Sequence, residues 1–246
     1  MLGASNIAGS PGYVRRTGMH MLWWLLSFYA LAIVDGWFMP YLMGVPVAAW
    51  GYDIAKFVLL PAALLLVFHF RYRVSPRSLM VIGRGPGYRG WEWPAVALFA
   101  GGLLFLIYVY IAPLALSAGL AILSYVNGEP SWDDVRRFAY GSMVPKSGVW
   151  RWIVIFFFAT SAGIVEEILY RGALREAIAA LLGPRATGVY IAASALAFAL
   201  AHWEQGLDGV WGALVFGVAA AWLYLKLGDL RPLMLGHALV DVYEFW

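Results

Sequence analysis

Apolar runs of roughly 20 residues, the length that crosses about 30 Å of hydrocarbon, recur along this chain from end to end, separated by short polar stretches. They predict spans at 21–43, 50–70, 94–118, 150–182, 186–203, 209–226 and 232–246. The fold class expected is therefore all-α, a polytopic transmembrane helix bundle of about seven spans, with six to eight as the range. The range comes from two places. The stretch 94–126 is broken by Pro113, and 150–182 is too long for one straight crossing. An Arg-, Gly- and Pro-rich linker at 71–93 and a mixed-charge stretch at 127–149 read as loops. Met21–Met43 lacks a small-residue cleavage site, so it reads as a first span and not a removed signal peptide.

Composition agrees with a membrane and argues against a soluble core. Of 246 residues, 63% are hydrophobic and 13% charged, against roughly 45–50% and 25% in an average soluble domain. The expected organisation is one membrane domain, with N-terminal spans and loops over 1–149 and a further helix bundle over 150–246. There is no Cys, which excludes disulfides, thiolate metal sites and a Cys nucleophile. The net charge of +3 is explained by topology and calls for no nucleic-acid partner. With the N-terminus inside, Arg15, Arg16, Arg71, Arg73, Arg77, Arg84, Arg89, Arg171, Arg175, Arg185, Lys226 and Arg231 face the cytoplasm. Arg136, Arg137, Lys146 and Arg151 face out, as the positive-inside rule requires.

An ionisable side chain inside a span costs a few kcal/mol, so its presence is a functional hypothesis. The last third of the chain concentrates such residues: Glu166 and Glu167, His202, and His237 with Asp241. Glu167 and Arg171, four apart, share a helix face and can neutralise each other. Glu166 points about 100° away, toward the face of Tyr170, and lacks that partner, which suits general acid/base work. Phe198 with His202 and His237 with Asp241 are likewise four apart. Glu166 and His202 each lie 18 residues from Pro184, so antiparallel helices leaving Gly183-Pro184 bring both to about 27 Å from that turn. His237, a few residues beyond the turn Gly228–Pro232, is shallow if that turn sits at the surface; something must tilt, shorten or dip. Asp35, Asp53 and Lys56 lie in or near spans, with Asp53 and Lys56 read as a pair near an interface. His20 and His69 flank apolar runs, and Gly83–Gly87 reads as loop.

Three pieces in order, Glu166-Glu167-Ile168-Leu169-Tyr170-Arg171, Phe198-Ala199-Leu200-Ala201-His202 and His237-Ala238-Leu239-Val240-Asp241, resemble the CPBP (CAAX protease and bacteriocin-processing) intramembrane protease family, which includes the type II CAAX prenyl endopeptidase. The resemblance covers about 150–246. It implies an endopeptidase acting on a membrane-associated peptide in the bilayer, with Glu166 and His202 activating water. It makes Glu167 and Arg171 an orienting pair and puts His237 and position 241 at the oxyanion. One departure stands out: where the best-studied members have Asn, this chain has Asp241, which donates a hydrogen bond only when protonated. Family members have been described as glutamate-type and as metal-dependent proteases. Glu166, His202, His237 and Asp241 offer N and O ligands that suit zinc, although the reading favours no tightly bound metal.

Rival protease chemistries are missing from the chain, which has no H-E-x-x-H, no G-x-G-D and no Gly-flanked Ser nucleophile paired with a His. Two other classes compete. One is a catalytically silent scaffold or immunity protein of the same fold, to which Asp241 lends weight. The other is a proton-coupled transporter, against which stands the lack of paired repeats with interrupted helices. The expected location is a prokaryotic inner membrane.

Overall fold

The computed structural model describes residues 6, 7, 9–42, 45–82, 90–115, 117 and 143–246. Among them every element is helical, and the one β feature is an isolated bridge between Val81 and Asp229. Helix α1 spans Pro11–Leu42, beginning ten residues before the apolar run suggests. Helix α2 (Pro46–Ile54) passes through a π turn at Ala55–Leu59 into α3 (Leu60–Tyr72). A short α4 (Pro76–Met80) lies inside the expected 71–93 loop. Helix α5 (Trp93–Leu106) continues through a π turn at Ile107–Ile111. The long segment after it comprises α6 (Val149–Glu166), a π stretch at Glu167–Ala173 and α7 (Leu174–Leu182). Then come α8 (Thr187–Leu200), a 3₁₀ turn at Trp203–Gln205, α9 (Gly206–Leu227) and α10 (Arg231–Phe245).

Among the described residues, five helices are long and apolar enough to cross a membrane: Pro11–Val34, Ala48–Tyr72, Trp93–Ala115, Val149–Leu182 and Gly209–Leu227. The other two expected spans are helices in the expected places, but α8 has 14 residues and α10 has 15. At 1.5 Å per residue each covers only about 21–23 Å, short of a full crossing. Helix α8 ends two residues before His202, and α10 carries His237 near its middle. The expected loops at 83–89 and 127–142 fall outside the described residues, as do the side chain of Asp35 and the Gly83–Gly87 segment.

The three π stretches divide by cause. Two of them end two residues before a proline, Pro61 and Pro113, whose missing N–H disrupts the helical ladder and is accommodated by a widened turn. This is how Pro113 breaks 94–126 without ending its helix. The third, Glu167–Ala173, has no proline; it carries the second glutamate and the arginine of the first motif. Such bulges gather at functional sites. Here neighbouring helices pin it: Tyr29 Oη donates to the Leu169 carbonyl at 2.9 Å and Ser194 Oγ to the Tyr170 carbonyl at 2.9 Å. Tyr29 also stacks on Tyr170 at 4.5 Å. Replacing Tyr29 by Phe removes only the hydrogen bond and is expected to lower the unfolding free energy by roughly 1 kcal/mol, the ordinary worth of an interhelical bond in a membrane bundle; denaturation in mixed micelles measures it.

Helix α10 is clamped backbone to backbone. A Cβ on Gly236 would stand 2.8 Å from the Gly101 Cα of α5, and one on Gly163 of α6 would meet Ala238 N and Met234 O at 3.1 Å. Small residues permit that approach, which drives association where lipid offers no hydrophobic difference. Large apolar side chains such as Trp23, Phe70, Phe99, Leu114 and Trp150 point outward, as lipid-facing residues do. His20 and His69 are exposed, as their flanking positions suggest.

The turn before α10 does not sit at the surface. Asp229 and Leu230 are fully buried, because Met80–Ile82 covers them. Leu230 N donates to Met80 O at 2.9 Å, and Ile82 N donates to Gly228 O at 3.0 Å. Asp229 then starts the helix, accepting from the Arg231 amide at 3.0 Å and pairing with the Arg231 side chain at 2.6 Å.

Candidate active site

Two adjacent carboxylates flank the two nitrogens of one imidazole. His237 Nδ1 lies 2.9 Å from Glu167 Oε1, and its Nε2 lies 3.6 Å from Glu166 Oε2 and 3.8 Å from Asp241 Oδ1. A carboxylate can only accept, so Nδ1 carries the proton toward Glu167. Helical angle alone separates Glu166 from Glu167 and leaves Glu166 without a partner on its face. The structure corrects this: both glutamates reach the same histidine from the other side of the bundle, contributed by α10. Glu167 is thus more than the partner of Arg171.

Arg171 is fully buried. Its Nη1 stands 3.3 Å from Glu167 Oε1, and its guanidinium carbon lies 4.2 Å from the centre of the Phe198 ring and 5.6 Å from that of Phe216. A guanidinium over aromatic faces is stabilised by the ring quadrupole, more so when desolvated. The first residue of the Phe-x-x-x-His motif acquires a physical role from this. Phe198 carries Arg171 on its face, lies 4.5 Å from the His202 ring and 5.5 Å from the His237 ring, and meets Tyr170 edge-on.

His202 closes α8. Its Nδ1 lies 2.7 Å from the Phe198 carbonyl, an acceptor, so Nδ1 donates and the neutral ring keeps its lone pair on Nε2. Glu166, His202, His237 and Asp241 all line one cavity of about 100 Å³, together with Lys56, Tyr108, Gln205 and Glu244 and a wall of Phe side chains. On the measure by which one water needs roughly 10–15 Å³, several fit. The equal distances of Glu166 and His202 from Pro184 correspond to this shared position. Glu167 and Arg171 stand behind the wall and hold it.

Lys56, Tyr108, Gln205 and Glu244 line the cavity without belonging to the sequence motifs. Glu244 is at i+7 from His237 on the stripe that also contains Asp241, so the helical period holds a signal for it. Lys56, read from sequence only as near an interface with Asp53, lines the cavity, and Asp53 is fully buried. Gln205 gives no signal beyond lying three residues after His202. Among the described residues, no group of three or more His, Asp or Glu side chains is arranged to hold a metal ion.

Fold and cavity together define a polytopic helical membrane protein with an ionisable, water-sized chamber among its spans. Residues 148–243 match the family model of the Rce1-like type II CAAX prenyl endopeptidases. Over that stretch, which contains all three motifs, the chain carries an Rce1-like domain, and the family is one of intramembrane CAAX-type proteases. No match was found among curated proteins or among solved structures.

Proposed function

We propose that this protein is an intramembrane endopeptidase that hydrolyses a membrane-associated peptide, with Glu166 and His202 activating the water. The observation that carries the reading is that Glu166 and His202 line one water-sized cavity while the Nδ1 of His202 is committed to a carbonyl, which leaves Nε2 free to accept. A water between them gives up a proton to this pair, and its oxygen adds to the scissile carbonyl carbon. The carbonyl π electrons move onto oxygen. When the tetrahedral intermediate collapses, the C–N bond breaks and the stored proton passes to the departing amine. His237, oriented by Glu167, faces the developing oxyanion, and Asp241 assists by orienting His237. The scheme routes no step through a metal. In the cell we place the protein in a prokaryotic inner membrane with its N-terminus in the cytoplasm, where the basic loops belong.

The test is cleavage of membrane-anchored reporter peptides by the purified protein in detergent, for wild type, Glu166→Gln and His202→Ala. Loss of at least about 10³-fold in both variants is expected, since each removes half of the water-activating pair. Activity that survives chelator treatment is expected as well. Wild-type cleavage that persists in both variants would sink the assignment.

A further inference from the structure

Tetrahedral intermediates need hydrogen-bond donors aimed at the oxyanion, and the side chain of Asp241 offers one only when protonated. His237 spends its Nδ1 proton on Glu167. Its Nε2 lies 3.6 Å from Glu166 Oε2 and 3.8 Å from Asp241 Oδ1, so a proton there already faces two carboxylates. The wall does contain one side-chain amide, that of Gln205.

Gln205 is placed with unusual care. The turn that bears it begins at His202, whose amide donates to Ala199 O at 3.0 Å, and closes with Gln205 N donating to His202 O at 3.1 Å. Trp203 Nε1 anchors the same turn to the Ile33 carbonyl of α1 at 2.6 Å. Gly206 follows with φ +79°, a left-handed conformation that lets α9 start abruptly. One turn on, Gly209 makes room for the side chain: a Cβ there would lie 2.3 Å from the Gln205 Cβ and 2.9 Å from its Oε1. His202 and Gln205 are therefore fixed three residues apart on one turn, and both line the same cavity. The other donors lining it come from different helices. Tyr108 lies across from Gly212 and Phe216. Lys56 comes from the π turn that follows α2, on the opposite side of the chain's sequence from all three motifs.

We infer that Gln205 is a catalytic residue of this protein, supplying to the oxyanion the amide N–H that position 241, an Asp, lacks. The inference rests on the endopeptidase reading. As the peptide carbonyl takes on negative charge the Gln205 amide hydrogen bonds to its oxygen, and the bond relaxes when the C–N bond breaks and the carbonyl reforms.

The experiment uses the full chain in detergent with the reporter peptides above. Gln205→Glu keeps the shape and turns the donor into an acceptor. Its kcat is expected to fall by about 10²–10³-fold, the usual effect of losing one oxyanion donor, with KM changed less than about 3-fold. Adding Asp241→Asn to that variant restores a donor in the same cavity and is expected to recover at least about 10-fold in kcat, which a merely structural role for Gln205 would not produce. Gly209→Ala, which evicts the native amide, is expected to lower kcat in the same direction while the melting temperature reports on folding. If Gln205→Glu keeps kcat within about 3-fold while Glu166→Gln is dead, this inference fails and the endopeptidase reading stands. The inference fails equally, with that reading intact, if Tyr108→Phe or Lys56→Met gives the kcat loss instead. Absence of wild-type cleavage on every reporter overturns both.

Discussion

Replacing Arg171 by Met is expected to cost about 3–5 kcal/mol of stability, the range for breaking a buried ion pair by removing one partner. Against total stabilities of roughly 5–15 kcal/mol, that is close to unfolding. The size follows from what remains. Glu167 is fully buried, and with the guanidinium gone its carboxylate keeps only the His237 contact. The guanidinium is itself held by charge and ring faces, since among the described residues none of its nitrogens makes a hydrogen bond. Glu167→Leu is expected to cost a similar amount for the opposite reason, leaving a cation between two phenyl rings. The double variant Glu167→Leu/Arg171→Met removes both charges, and its stability is expected to lie above that of either single variant. Activity should not follow stability back, because the His237 Nδ1 proton has lost its acceptor. Denaturant titration of tryptophan fluorescence, alongside reporter cleavage, separates the two. A loss under about 1 kcal/mol for Arg171→Met would show that the rings and not the charge hold this corner.

Much of the fold and of the site is legible in the sequence, and the rest is hidden for identifiable reasons. Apolar run length locates the helices, because the thickness of hydrocarbon leaves little freedom in a crossing helix. It runs three residues past the end of α8, because the run continues through Ala201 and His202 into the 3₁₀ turn, while for α10 it matches the helix to within one residue at each end. Helical spacing pairs Glu167 with Arg171 correctly. It assumes 3.6 residues per turn, though, and the π stretch at Glu167–Ala173 changes which neighbours the two glutamates see. Proline announces the other two π turns; nothing in the composition of Glu167–Ala173 announces this one. That His237 sits between Glu166 and Glu167 depends on α10 crossing α6 at Gly163, a contact between segments some seventy residues apart. Lys56 stays hidden for the same reason: its helix carries no motif, and only tertiary packing turns it toward the motif-bearing half.

Gly172→Ala, a change of one methyl group beside the first motif, is expected to lower stability by about 1–3 kcal/mol, as overpacking does, and kcat/KM by at least about 10-fold. A Cβ at 172 would lie 2.3 Å from the Leu79 carbonyl oxygen and 3.1 Å from Leu230 Cδ1. The obstacle is backbone, so no flexible side chain can swing aside. That oxygen is also held by Tyr224 Oη at 2.8 Å. The residues that must give way belong to the segment whose next peptide units pair with Gly228 and Leu230 and bury the start of α10. Displacing α4 therefore moves the origin of the helix that carries His237, two turns on, and displacements of about 1 Å at reacting groups can cost 10²-fold in rate. Gly102→Ala serves as the control: its Cβ would meet nothing within 4 Å, and alanine is the better helix former by up to about 1 kcal/mol, so no loss is expected. Should Gly172→Ala keep wild-type melting and wild-type kcat/KM, the buried turn would not be what sets the depth of His237.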